Sequence, residues 1–472
     1  MALPLTDGLL VVVKRDCETC HLVLPVLDQI PDLVIASQDD ASFPTDDVID
    51  DTSLDLSWEL QTETTPTLYR IEGGTVVDST AGWHRQRWES LSGVPDLGPG
   101  LPESRPGCGS MIFDPEIHER LLREHSVSSL HSRRVELGGA EDLFEAMFAR
   151  GWSDGLPLVP PTEDRVERML TGTERAPNEV VCGMPPDLVD CTVEKVAVNA
   201  VMAGCLPEHL PVVLATVEAA ASDTFNIHGL AATTYFSGPI VIVNGPIVTR
   251  LGMNAGINAL GPGNRANLTI GRALNLVVRN VGGAVPGGVD RATFGNPGKL
   301  SFCFPEDEAG SPWESLSVER GFSADQSTVT LFAGHGPTEI WDQLSRTPES
   351  LANSFAAQLL RLSHPKLALM FDAVVVVSPE HARVFRAAEW DKKRLRSELF
   401  ERLIRPGADL MRGVDGIAEG MPSSFADRDV PKFGPDGLWF VHAGGGAGLF
   451  SAILPGWVNG ERGSQMTTVE IR

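Results

Sequence analysis

The first apolar run along the chain is GLLVVVKR, Gly8–Arg15. A short, continuous run rich in β-branched residues predicts a strand buried on both faces. Asp16 and Cys17 close it, and Leu22, Leu24, Val26 and Leu27 then fall on one helical stripe. Asp32–Ser37 reads as a second buried strand. Thr67–Ile71 and Thr75–Asp78 flank Gly73–Gly74, which predicts a hairpin. Trp83–Leu91 closes the region as a helix. Residues 1–95 therefore form one small α/β domain.

The pattern is lost over Gly93–Pro115, which is rich in Pro and Gly, and residues 96–137 are expected to be a semi-rigid linker with a short charged helix at Pro115–Ser126. From about Gly138 apolar periodicity returns. Helices are expected at Cys191–Cys205, Pro207–Ala221 and Thr269–Ala284, with a buried strand at Gly238–Ile247. Further strand and helix patterns continue to the end. The alternation predicts an α/β domain in two subdomains, 138–325 and 326–472. No short-period repeat is evident.

Charge narrows the partners. The chain of 472 residues has a formal net charge of −25, which repels phosphate backbones and anionic lipid. Neither nucleic acid nor a membrane is an expected partner, whereas a small-molecule substrate, a thiol reductant or reductase, and self-association into a homo-oligomer are. Seven cysteines are too few, and odd in number, for a secreted disulfide scaffold. With no secretory pattern at the N-terminus, a reducing cytoplasm is expected.

Cys17 and Cys20, two residues apart at the start of a helix, are the most specific chemical signal. A helix N-terminus stabilises a thiolate, so Cys17 is expected to attack and Cys20 to resolve. Asp16 and Glu18 place carboxylates beside the sulfur and are expected to damp thiolate formation. No second ligand pair accompanies the motif, so no metal is expected, and no cofactor is evident beyond the dithiol itself. Cys108 lies between glycines in PGCGSM, which reads as a mobile thiol approached closely by a partner.

The order strand, Cys17-Glu18-Thr19-Cys20, helix, strand, Thr65-Pro66, hairpin, helix resembles the thioredoxin fold over about a fifth of the chain. The resemblance implies that Pro66 is cis and faces the dithiol. This chain departs from the usual pattern in lacking Trp before the first cysteine and Gly-Pro within the pair. The blocks GWSDGLPLVPPT, CTVEKVAVNAVMAGC, NALGPGNRANLTIGRAL and NPGKLSFCFPEDEAGSPWESLSVERG resemble an uncharacterised bacterial family over roughly two thirds of the chain. That family is associated with thioredoxin-like partners and with (seleno)proteins bearing a Sec-Gly-Ser-Cys motif. Cys108-Gly109-Ser110-Met111 matches that motif only in part. The resemblance implies redox chemistry and no particular reaction.

In the large domain, the Gly/Asn-rich loop with Asn258, Gly261, Gly263, Asn264, Arg265 and Asn267 precedes a helix. It is the expected substrate site, for a carboxylate or phosphate. His442 opens HAGGGAG, a glycine-rich turn expected to lead from a strand to a helix, and is a candidate acid or base. Cys205 and Cys303 are candidate nucleophiles, and Asp154 a candidate acid or base. The expected function is a thiol-dependent oxidoreductase: the CxxC module passes electrons to a cysteine of the large domain acting on a small anionic substrate. The alternative is a non-redox hydrolase or lyase using Asp and His residues, with the small module only recruiting a partner.

Overall fold

The computed structural model describes residues 7–114, 117, 120–121, 130–135 and 142–472. The chain is mixed α/β and divides into two units, Met1–Ser128 and Ser129–Arg472. The helix expected over Pro115–Ser126 falls largely outside the described residues. Among the described residues no helix is long and apolar enough to cross a membrane.

The first unit is built on β1 (Gly8–Val13), α1 (Glu18–Leu27), β2 (Leu33–Ser37), β3 (Ile49–Asp50), α2 (Asp55–Glu59), β4 (Thr67–Glu72), β5 (Thr75–Ala81) and α3 (Arg85–Ser92). The sheet order is β3-β2-β1-β4-β5, with β1 parallel to β2 and antiparallel to β4. Side chains alternate faces along a strand. Val11 and Val13 accordingly pack with Val23 and Val26 of α1 and Trp88 of α3, while Leu10 and Val12 pack with Leu56 of α2. Burial on both faces is why the sequence of β1 shows no polar alternation.

The segment expected to be a linker differs from that expectation through Ile112. It returns to the first unit, with Leu97 fully buried, the Trp83 indole donating to the Pro102 carbonyl (2.7 Å) and the Thr19 hydroxyl to the Pro106 carbonyl (2.7 Å). Cys108–Gly109 pairs antiparallel with Thr64–Thr65. A Cβ on Gly107 would lie 2.3 Å from the Thr64 methyl, so only glycine permits this approach. Prolines leave few N–H groups for a ladder, and the segment is held through its carbonyls, which leaves no hydrophobic period to read.

The second unit opens with α4 (Leu143–Ala149), α5 (Glu163–Leu170) and a hairpin of β6 (Val180–Met184) and β7 (Val189–Thr192). Then follow α6 (Val193–Ala203), α7 (Leu210–Ala221), β8 (Gly238–Asn244), α8 (Arg265–Asn280), β9 (Cys303–Pro305), β10 (Thr328–Gly334) and β11 (Thr338–Trp341). The remainder supplies α9 (Pro348–Arg361), β12 (Phe371–Val377), α10 (Pro379–Ala387), α11 (Lys392–Arg402), β13 (Leu438–His442), β14 (Phe450–Val458) and β15 (Thr467–Glu470).

These strands form two halves of identical plan. One runs β9-β8-β10-β15 and the other β13-β12-β14-β11. In each, the first pair is parallel and the other two are antiparallel. The halves exchange their last strands: β11 follows β10 in the chain yet pairs with β14, and β15 follows β14 yet pairs with β10. The expected boundary at 325/326 therefore falls just before β10, inside the first half. Val241 and Val243 face helices α6, α7 and α8, and Val375 and Val377 face α9, α10 and α11. The intervening Ile240, Ile242, Val374 and Val376 meet Phe304, Phe332 and Leu454 in a core shared by both halves.

Candidate functional site

Cys17 is the N-cap of α1. Its sulfur accepts the Cys20 backbone N–H at 3.2 Å and donates to the Thr65 carbonyl oxygen at 3.3 Å, next to the cis Thr65–Pro66 peptide. Thr65 is the register partner of Cys108, and this pairing brings Cys108 beside Cys17. Three thiols thus meet at one helix end. The Cys20 thiol beside it, opposed by burial and assisted by Cys108 and the Cys20 N–H, lowers the Cys17 pKa to about 5. Burial first and Cys17 second push Cys20 up, and the same two causes raise Cys108. The arrangement favours ionisation at Cys17 and keeps Cys20 and Cys108 protonated.

Damping by the neighbouring carboxylates is not what the structure shows. Glu18 is turned to solvent in an ion pair with Arg105 (2.5 Å), and Asp16 is exposed. Cys108 is also not a free shuttle: its backbone is fixed by the ladder to Thr65.

The second unit uses most of its candidate residues structurally. Asp154 makes a two-pronged ion pair with Arg272, at 2.7 and 2.8 Å, with side chains only 11% and 15% exposed. Burial would raise its pKa, but the guanidinium outweighs that and lowers it. A carboxylate held this way is a poor proton carrier. Cys205 donates to the Thr269 carbonyl at 3.4 Å, and burial pushes it up to about 12. His209, four residues on, accepts the Leu206 N–H on Nδ1 at 3.2 Å. Cys303 is buried and also raised.

The Gly/Asn loop closes on itself. Asn264 caps α8 by accepting the Asn267 N–H at 3.1 Å, and donates to the Gly252 carbonyl at 2.8 Å. Asn267 bonds both backbone groups of Asn254, and Asn258 donates to the Pro262 carbonyl. Arg265 donates to the Gly204 carbonyl at 2.9 Å. Gly261 packs against the Asn258 side chain, and Gly263 has φ +124°, so both glycines serve the turn. Each of these asparagine and arginine side chains thus makes at least one bond within the chain.

Two features depart from the expectations. Cys191, read as the start of a helix, lies on β7 directly opposite Cys182 of β6, with their thiols side by side. That contact lowers Cys182 against its burial and raises Cys191. Thr192 accepts the Lys195 N–H and caps α6, so the helix begins after Cys191. The signal available was Thr192 followed by Glu194 and Lys195, a helix start within the periodic run. The second feature is His442, which ends β13 almost fully buried, with Nδ1 at 3.2 Å from the Asp307 carbonyl oxygen. Its glycine-rich turn leads into strand β14 rather than the expected helix. No protein-family model matches the chain, and comparison with curated proteins and with solved structures found no match.

Proposed function

We propose that the first unit is a thioredoxin-like thiol–disulfide exchange module and that the chain is a thiol-dependent oxidoreductase. The observation that carries this reading is the contact of Cys20 and Cys108 with a Cys17 sulfur at a helix N-terminus. A thiolate at neutral pH is the attacking species in disulfide exchange. The Cys17 thiolate attacks one sulfur of a substrate disulfide; that S–S bond breaks, a mixed disulfide forms and one thiolate leaves. Cys20 then gives up its proton and attacks Cys17, releasing the second substrate thiol. The substrate gains two electrons and the module ends as the Cys17–Cys20 disulfide, which a thiol reductant returns to the dithiol.

Within the second unit, the pair suited to receive two electrons is Cys182/Cys191, not Cys205 or Cys303. The pair stands at directly opposed strand positions, whose Cβ atoms are typically about 4.5–5.5 Å apart, close to the span of a disulfide. A shared chain holds the two partners at an effective concentration of about millimolar.

Thiol trapping with mass spectrometry across a glutathione redox series tests the reading on the full chain. A reversible Cys17–Cys20 bond is expected, and Cys20→Ser is expected to accumulate a mixed disulfide from Cys17 to Cys182 or Cys191. Cys17 and Cys20 remaining unlinked at every poise would sink the exchange reading; a linked pair with no mixed species would remove only Cys182/Cys191 as the recipient.

A further inference from the structure

In α/β sheets, helix N-termini and loops converge beyond the carboxyl ends of parallel strands, which makes that crevice the usual ligand site. The parallel pair β12 and β13 opens there on a cavity of about 270 Å³. β12 passes through Ser378 into α10, and β13 ends at His442 before the glycine-rich turn. Pro379, Arg383 and Arg386 of α10, together with His442 and Gly446, line the cavity.

The polar groups here are incompletely used. Ser378 Oγ is buried and makes no hydrogen bond among the described residues. His442 is 1% exposed, yet it is one of the residues lining the cavity. Nδ1 faces Asp307, 3.2 Å from its carbonyl oxygen and 3.6 Å from its carboxylate. A carbonyl only accepts, so Nδ1 carries the proton and Nε2 presents a lone pair. No described residue bonds Nε2. Burial lowers the pKa of the ring, against the pull of Asp307, which favours the neutral form.

The charged side chains that line the cavity with His442 are cationic. Glu380 engages Arg383 at 3.2 Å, but its other oxygen accepts the Leu449 N–H at 2.6 Å and holds it to the loop. Arg386 makes no ion pair among the described residues. A site lined by exposed guanidinium groups and a buried imidazole acceptor fits a ligand with an anionic head and a hydroxyl donor. The cavity lies just below the usual range of about 300–1,000 Å³ for drug-sized ligands, so the ligand is small.

We infer that this cavity binds a small hydroxy-carboxylic acid, its carboxylate on Arg386 and Arg383 and its hydroxyl donating to His442 Nε2. The inference is independent of the thiol reading, since it uses no cysteine.

Isothermal titration of the full-length, reduced chain with malate and with succinate, which lacks the hydroxyl, tests it. Malate is expected to bind saturably, and succinate at least about tenfold more weakly, because a site built to bond a hydroxyl rejects the analogue without one. The double variant Arg383→Ala/Arg386→Ala alters only exposed side chains and is expected to weaken malate at least about tenfold. His442→Phe, verified as folded by thermal unfolding, is expected to abolish the preference for malate. Absence of binding at about 10 mM malate, equal affinity for the two acids, or an unchanged double variant would each overturn the site.

Discussion

Cys17 and Cys205 stand at opposite ends of helices. Both thiols donate to a backbone carbonyl, but Cys17 caps the N-terminus of α1 and also accepts an N–H, whereas Cys205 lies two residues beyond the end of α6. The helix dipole and the free N–H groups favour negative charge at the first position and oppose it at the second. Neighbouring thiols then pull Cys17 to about 5, and burial pushes Cys205 to about 12. Reactivity in this chain is thus a property of position, and residue type alone would have ranked the two equally.

The largest expected effect is the direct break of that comparison. At pH 7 these pKa values give Cys17 about five orders of magnitude more thiolate than Cys205. The weaker nucleophilicity of a low-pKa sulfur returns about three of those orders. Cys17 is therefore expected to alkylate with iodoacetamide at least about 100-fold faster, the two residues being similarly buried at 3% and 6% exposed. Peptide mapping of a time course measures both rates in one sample. Comparable rates would show that the helix ends do not set the chemistry.

Next in size is a test of the second unit's habit of using reactive residue types structurally. Asp154→Ala leaves the Arg272 guanidinium buried without its partner, which is expected to cost about 3–5 kcal/mol in urea unfolding. The Asp154 pKa is lowered by folding, so the pair stabilises above the unfolded value of about 3.9 and loses that contribution as pH falls through the folded value. A catalytic Asp154 would instead leave stability nearly unchanged on substitution.

These contrasts also show what the sequence could convey. The buried strands, the hairpin and a cysteine at a helix start are local patterns, and all were legible. The position of Cys108 was not, because Thr65–Cys108 is a two-residue ladder between segments distant in the chain, one of them without period. Cys191 was absorbed into a helix because the apolar spacing of VEKVAVNAVMA continues smoothly back through it, while the cap at Thr192 weighs less than the pattern. The duplicated plan of the second unit was hidden by its exchanged strands. β11 and β15 alternate in the same way whichever neighbour they join, so pairing partners leave no mark on periodicity. Asp154 and Arg265 were legible as charged residues beside turns, but their partners, Arg272 and the Gly204 carbonyl, are set by tertiary packing.

The contact that makes Cys17 unlike Cys205 can be removed in steps. Cys20→Ala deletes the leading cause of the lowered pKa, so the midpoint of Cys17 thiolate absorbance is expected to rise by about one unit or more, toward the unperturbed value near 8.5. Cys20→Ser keeps a hydroxyl donor and is expected to rise less. The linkage has a definite sign. A thiol whose pKa is lowered on folding stabilises the reduced fold fully above about 8.5, and that contribution falls away as pH drops toward about 5. Urea unfolding of the reduced chain is therefore expected to show stability rising from pH 5 to 8, with a flatter rise in Cys20→Ala.

The smallest effect separates two roles for Cys108. Its thiol also donates to Cys17, behind Cys20 and burial in weight, so Cys108→Ala is expected to raise the Cys17 midpoint by a fraction of the Cys20→Ala shift. Cys108→Ser retains a donor and is expected to sit near the unsubstituted protein, because a hydroxyl can still point at the thiolate from the same ladder position. If Cys108 acts only through this hydrogen bond, the serine variant keeps both the midpoint and the rate of disulfide exchange. If it also resolves mixed disulfides, the midpoint holds while exchange slows, since a hydroxyl cannot displace a thiolate from sulfur. Reading the midpoint and the exchange rate on the same variant therefore distinguishes a thiol that tunes Cys17 from one that reacts with it.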